Sequence, residues 1–224
     1  MTAFLLRADS LLRAGPEAIA AGRTRAALLH LGTLVVVFGM FYGAVMGAFT
    51  GFDASHRLQV LYSALKVPLL LQAAFLLALP SFFVLNTLAG LRDDFGEAMR
   101  ALVATQAGLT IILASLSPLT ALWYVSSTDY ESAILFNAFM FAVASFAAQL
   151  LLRRFYAPLI ARSEKHRWLL RAWLIVYAFV GIQLGWLLRP FIGNPHVPTQ
   201  FFREDMWGNA YIQVFKLVAR VFGG

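Results

Sequence analysis

Three carboxylates, at Asp93, Asp94 and Glu97, lie close together just after a long uncharged stretch. Carboxylate oxygens are the hard ligands that Mg²⁺ prefers, and a carboxylate-bound Mg²⁺ can hold a diphosphate group. These residues are therefore weak candidates for a metal site. The plainer interpretation is that Asp93 and Asp94 cap the helix that follows, while Glu97 lies in its first turn, where a negative charge suits the helix dipole.

The Asp93-Asp94-x-x-Glu97 spacing is similar to the acidic motifs with which membrane prenyltransferases chelate Mg²⁺ and a diphosphate. This resemblance implies an enzyme that acts on a lipid or an isoprenoid. Such enzymes carry a second acidic cluster and more membrane spans than this sequence offers. The other acids on the same predicted side are scattered along the chain, at Asp9, Glu17 and Glu164. We therefore predict no catalytic residue, no cofactor and no bound metal, and keep the enzyme as an alternative.

Other familiar reaction motifs are absent from the sequence. It contains no GxSxG elbow, HExxH helix, GxGxxG turn or Walker-type phosphate loop. It has no cysteine, which excludes disulfides and thiolate metal sites. The net charge is +7, but the Lys and Arg residues lie between apolar stretches, a pattern typical of proteins that meet lipid headgroups. We predict a lipid bilayer as the surrounding partner and no binding of nucleic acid.

Arg189 follows the last apolar stretch and is expected on the same side of the membrane as Asp129 and Glu131. An ion pair between Arg189 and one of these acids would fix the last spanning helix against the two before it. The alternative is that Arg189 binds an anionic substrate, since a guanidinium holds a carboxylate or a phosphate through two parallel hydrogen bonds.

The residues after Arg189 are too rich in proline and aromatic side chains for a solvated tail. We predict that they pack on the mouth of the helix bundle and form a docking surface; the alternative is that they only steer the chain into a terminal helix. A zinc site is not expected, because His56 is the only other histidine predicted on that side and zinc takes three or four protein ligands. The candidate docking residues are Pro190, Phe191, Asn194, Pro195, His196, Phe201 and Phe202.

The elements that would position these groups are membrane-spanning helices. Of the 224 residues, 60% are hydrophobic and only 13% are charged, against about 25% charged residues in soluble domains. An α-helix needs about 20 apolar residues to cross a hydrocarbon core of about 30 Å. Five stretches reach or approach this length, at 26–50, 67–91, 101–127, 132–152 and 168–188.

The sequence thus predicts an all-α, polytopic transmembrane bundle of five spans. Residues 1–25 form an N-terminal interfacial segment with a short helix, 26–189 form the transmembrane domain, and 190–224 form an ordered segment that ends in an amphipathic helix. Lys and Arg residues number twelve on the side of the N-terminus and six on the other side. By the positive-inside rule we expect a cell (inner) membrane protein with a cytoplasmic N-terminus and an extracytoplasmic C-terminus.

Glycines recur every four residues in the first and last spans. A four-residue step turns an α-helix by about 400°, so these glycines share one face and let another helix approach closely. The face packs either within the chain or between two copies of it, and the sequence leaves both open. The predicted packing residues, spaced as in a glycine zipper, are Gly39, Gly43, Gly47 and Gly51 in the first span and Gly181 and Gly185 in the last.

Uncharged polar side chains also occur within the spans, whereas no Asp, Glu or Lys is expected at their centres. Each polar side chain can bond across helices, typically for about 0.6 kcal/mol, or line a path for a solute. They are His30, Gln72, Asn86, Gln106, Asn137, Gln149 and Gln183.

Three functions remain open from the sequence. The first is a non-catalytic integral membrane protein that associates with itself or joins a larger membrane complex. The second is a channel or facilitator for a small solute, in which Tyr42 and the span amides line the path. The third is the membrane-embedded enzyme implied by Asp93, Asp94 and Glu97.

Overall fold

Six α-helices and two short 3-10 turns make up the part of the chain that the computed structural model describes, residues 2–13, 25–51, 57–195, 197–202 and 212. Five of these helices are long and apolar enough to cross a membrane, which confirms an all-α, multi-pass bundle. The helices are α1 (Thr2–Arg13), α2 (Arg25–Gly47), α3 (Arg57–Leu88), α4 (Phe95–Ser126), α5 (Tyr130–Arg162) and α6 (Lys165–Leu187). The 3-10 turns are Ala48–Thr50, which continues α2, and Arg92–Asp94, which precedes α4.

α2 is the central helix. It packs against both α3 and α4, while α5 packs on α4 and α6 packs on α3. Trp173 holds α6 on α3, since its ring centroid lies 6.1 Å from that of Phe75 and 5.5 Å from that of Phe82. Only three residues join α4 to α5, as expected for a tight antiparallel hairpin. We call the end of the bundle at this turn the Tyr130 end, and the opposite end, where α5 meets α6, the His166 end.

The N-terminal helix packs on the bundle. Ala8 and Leu11 of α1 are buried against it, and Arg154 of α5 donates a hydrogen bond of 3.0 Å to the carbonyl oxygen of Arg13. Leu5 of α1 stays exposed. The amphipathic pattern therefore marks a real helix, and part of its apolar face, at Ala8 and Leu11, is turned to the protein. The amphipathic helix predicted near the C-terminus and His196 lie outside the described residues.

Two helices extend beyond their predicted limits. α3 begins at Arg57 and not near residue 67, and α5 continues past Arg153 to Arg162. The sequence predicts that these spans end at the first basic residue, because a charge is costly in lipid. The helices continue because basic side chains find polar partners on the protein, as Lys66 does in α3.

The glycine face of α2 is covered within the chain. A Cβ atom built on Gly43 would overlap the carbonyl oxygen of Ser63 and lie 2.9 Å from the Cα atom of Ala64. A Cβ atom on Gly47 would lie 2.8 Å from the carbonyl oxygen of Gln59. The backbones of α2 and α3 therefore meet at a distance that only glycine permits.

The other predicted packing glycines differ from this pair. Gly39 faces Pro68 at an ordinary contact distance of 3.4 Å, and Gly51 ends the first span with a positive φ of 83°. A Cβ atom on Gly181 or Gly185 of α6 would have no neighbour within 4 Å in the part of the chain that the structure describes. The two glycine series thus have different surroundings: one is in close contact with α3, and the other leaves open space among the described residues.

We predict that Gly43→Ala destabilises the bundle. The added methyl group forces α2 away from α3, and overpacking of this kind costs about 1–3 kcal/mol. The matched control is Gly32→Ala in the same helix, where a Cβ atom meets nothing within 4 Å. It should change stability by no more than about 1 kcal/mol, in the stabilising direction. Reversible unfolding in mixed detergent micelles measures both; equal effects of the two substitutions would contradict the close contact.

Candidate functional site

Lys66 is completely buried, although it lies inside a candidate membrane span. Its Nζ atom donates a hydrogen bond of 2.7 Å to the carbonyl oxygen of Pro190 and lies 4.9 Å from the ring centroid of Phe201. A buried ammonium group is costly unless such partners compensate for lost water. The sequence predicts this lysine just outside the span; the structure places it in the protein interior, between α3 and the segment that follows α6.

That segment, residues 189–193, returns to the bundle and is tied to it by its own backbone. The carbonyl oxygen of Phe191 accepts hydrogen bonds from Gln59 Nε2 at 3.3 Å and from Ser63 Oγ. The carbonyl oxygen of Ile192 accepts one from Tyr130 Oη at 3.4 Å. Three successive carbonyl groups, from Pro190 to Ile192, are therefore bonded to α3 or α5, and this segment fills the cleft between them.

The predicted docking residues divide into two groups. Pro190 and Phe191 lie half-buried against the bundle and are part of the chain's own packing. Phe201 packs edge-on against Tyr62, with ring centroids 5.1 Å apart, whereas Phe202 is 43% exposed.

Between these two groups the chain turns outward. The carbonyl oxygen of Asn194 accepts a hydrogen bond of 3.2 Å from the backbone N–H of Val197, and the side chain of Pro195 is exposed. The segment thus leaves the cleft near Asn194, and a docking surface on it would lie beyond that point.

A hydrogen-bonded network crosses the bundle at the Tyr130 end. Tyr42 Oη donates to Asn137 Oδ1 at 3.1 Å, and Asn137 Nδ2 donates to Tyr124 Oη at 2.6 Å. Tyr124 Oη in turn donates to the carbonyl oxygen of Met46 at 3.2 Å. The network joins α2, α4 and α5. Of its side chains the sequence singles out Tyr42 and Asn137, but Tyr124 lies at the end of its span, where a tyrosine is common and gives no signal.

A cavity of about 380 Å³ lies beside this network. Its walls are mainly apolar and come from α2, α3, α5 and residues 189–192, with Leu70, Ile134 and Phe141 among them. Asn137 contributes an amide to the wall, and Arg189 contributes the single charged side chain among its described lining residues. The arrangement suits an apolar or amphiphilic molecule better than a hydrated ion.

Arg189 lies over the indole ring of Trp186, with its Cζ atom 3.4 Å from the ring centroid. The Asp129 carboxylate instead accepts a hydrogen bond of 2.8 Å from the backbone N–H of Ser132, and so caps the start of α5. Among the ion pairs of the described residues, none joins Arg189 to Asp129 or Glu131. The helix N-terminus offers Asp129 a closer partner than the arginine.

The His166 end carries a second polar cluster. Arg162 at the end of α5 pairs with Asp94 and, at 3.3 Å, with Glu97. The Nε2 atom of the fully buried His166 lies 3.0 Å from the Asp94 carboxylate. These contacts join the start of α4 to the turn between α5 and α6. The sequence identifies the acids but not their partners, because Arg162 and His166 are 65 or more residues away along the chain.

The structure corrects the predicted cap. Asp94 occupies the N-cap position of α4, but its side chain makes no capping hydrogen bond, since it is turned to Arg162 and His166. Asp93 is exposed. Across the described residues, no group of three or more His, Asp or Glu side chains is arranged to hold a metal ion. The acidic sequence therefore acts as a clamp between helices in this structure.

Comparison of the chain with protein-family models, with curated proteins and with solved structures finds no match.

We predict that Lys66→Met releases residues 189–193 from the bundle. Because the chain has no cysteine, Ile192→Cys provides a single reporter at a position that is only 4% exposed. A hydrogen bond to a charged group contributes about 1.5–3 kcal/mol, so its loss should speed the reaction of this cysteine with a maleimide at least about tenfold. The control is Val197→Cys, 49% exposed, which should react rapidly with or without Lys66→Met. An unchanged rate at residue 192 would show that the lysine does not hold the segment.

We predict that Asp94→Asn weakens the clamp at the His166 end, whereas the same change at its neighbour Asp93 does not. Asp94→Asn should lower the free energy of unfolding by about 1 kcal/mol, a value moderated by the partial exposure of Arg162. Asp93→Asn should change it by less than about 0.5 kcal/mol. Thermal unfolding with and without Mg²⁺ separates the two interpretations, because a metal site would make wild type more stable in Mg²⁺ and both substitutions would abolish that gain.

Proposed function

We propose that this chain is a non-catalytic integral membrane protein that associates with a second copy of itself through α6. The observation that carries the proposal is the contrast between two glycine series in one chain. In α2 the series is covered by α3, whereas a Cβ atom on Gly181 or Gly185 of α6 would meet no described atom within 4 Å. α6 is also the least buried of the five candidate spans.

Helices in lipid associate by close packing and not by the hydrophobic effect, because lipid tails are as apolar as the side chains. Small residues four positions apart make such packing possible, and α2 shows that this chain uses them for that purpose at Gly43 and Gly47. A second α6 would bring the same notched face to the interface, so a symmetric pair is self-complementary. This supports a homodimer as the simplest assembly; a larger complex would use the same face.

The proposed setting is the cell (inner) membrane, with the N-terminus in the cytoplasm. It is supported by the excess of Lys and Arg residues in the connections on that side. In this orientation the Tyr130 end, with Lys66 and Arg189, is extracytoplasmic, and the clamp formed by Asp94, Arg162 and His166 is cytoplasmic.

The facilitator remains the second candidate, and the cavity favours it over the enzyme. Asn137 lines that cavity, so one of the predicted path residues lies where a small molecule fits. The enzyme needs carboxylates that are available to Mg²⁺, whereas Asp94 and Glu97 are engaged by Arg162. No comparable observation supports catalysis.

We predict that replacing both Gly181 and Gly185 by Leu abolishes the dimer and leaves the fold intact. A Cβ atom at either position meets no described atom within 4 Å, whereas a leucine there blocks the close approach of a second helix. Gly32→Leu is the control, because it adds one leucine at an open position of α2 that is not part of a four-residue glycine series. Native mass spectrometry from mild detergent measures the fraction of dimer. A monomeric wild type, or a dimer that survives both leucines, would refute the proposed interface.

A further inference from the structure

The 380 Å³ cavity at the Tyr130 end opens on the surface that the bundle turns to lipid. Ile134, 42% exposed, and Ala138 lie on the outer face of α5 and also line the cavity. Deeper in the cavity are apolar side chains, including Leu70 and Phe141. A chain of methylene groups could therefore enter sideways from the bilayer without crossing a polar barrier, and the volume lies within the range of small-molecule sites.

The polar and charged side chains that line the cavity indicate which polar group could accompany such a methylene chain. Both amide hydrogens of Asn137 are engaged, by Tyr124 and by the carbonyl oxygen of Ala133, and the hydroxyl of Tyr130 donates to Ile192. These groups satisfy each other within the protein. Arg189 is the only charged side chain among the described lining residues, and none of those residues is a carboxylate.

A second cation reinforces Arg189. The ammonium group of Lys66 lies 2.7 Å from the carbonyl oxygen of Pro190, the residue that follows Arg189, so a second positive charge is bonded to the backbone beside Arg189. The Trp186 ring covers one face of the guanidinium and fixes its plane. A phosphate approaches a guanidinium along its edge and not over its face, so this stacking is compatible with a bidentate contact.

We propose that the cavity binds one anionic phospholipid of the surrounding bilayer. One acyl chain lies in the cavity against Leu70, Ile134 and Phe141, and the headgroup phosphate is held by Arg189. Basic sites between membrane helices bind anionic headgroups by this combination of charge and apolar contact. The proposal does not depend on the oligomeric state, because the lining residues belong to a single chain.

Native mass spectrometry of the full chain tests whether the cavity binds an anionic phospholipid. The protein is reconstituted in nanodiscs of equal parts phosphatidylglycerol and phosphatidylcholine with the same acyl chains, and is then released into mild detergent. Wild type should retain one lipid, with phosphatidylglycerol favoured about tenfold. Both lipids carry the phosphate, but the cationic choline of phosphatidylcholine is repelled by Arg189 and Lys66. Arg189→Gln should retain both lipids equally. Ala138→Trp, which fills the cavity from its exposed rim, should retain neither.

Ala121→Trp is the matched control, since Ala121 is exposed on α4 and does not line the cavity. It should retain phosphatidylglycerol as wild type does, and circular dichroism confirms that each variant is folded. Equal retention of the two lipids by wild type would overturn the headgroup assignment. Unchanged retention by Ala138→Trp would overturn the cavity as the binding site, whatever the outcome for the dimer.

Discussion

The close approach of α2 and α3 at Gly43 and Gly47 determines how the rest of the bundle is arranged. Because the two backbones nearly touch there, α3 presents one fixed face, with Gln59, Ser63 and Lys66, to the neighbouring segment. Inside lipid such contact is itself a source of stability, since dispersion replaces the hydrophobic effect. A wider separation would leave those three donors without the geometry that meets the carbonyl groups of residues 190–192.

A second constraint is that polar groups away from water need partners within the protein. The backbone carbonyl groups of residues 190–192 meet this requirement by accepting hydrogen bonds from side chains of α3 and α5. The amide of Asn137 meets it through hydrogen bonds with two tyrosines. Gln106 does the same farther along α4, donating to the carbonyl oxygen of Leu71 and to Tyr177. Cross-helix hydrogen bonds thus set the positions of helices whose apolar surfaces alone would allow several arrangements.

Hydrophobic length is enough to predict five spans, their order and the hairpin of α4 and α5, because lipid imposes that length on any crossing helix. Glycine spacing predicts which face of α2 is notched but not what covers it, since the same spacing in α6 has no described atom within 4 Å of a built Cβ atom. The partners of Lys66, Asp94 and Arg189 could not be predicted. They are brought together from distant parts of the chain by packing, and a single sequence holds no record of such contacts.

Arg162 at the His166 end and Lys66 at the Tyr130 end have different partners, and these partners affect what can bind near each side chain. At the His166 end Arg162 meets carboxylates, so the charges of this cluster largely cancel. At the Tyr130 end Lys66 meets a carbonyl dipole and an aromatic ring, which stabilise a cation without neutralising it, and Arg189 lies over the Trp186 ring. In surroundings of low dielectric constant such charges act strongly on anything that approaches. An anionic group entering the apolar cavity would therefore be stabilised by these two cations.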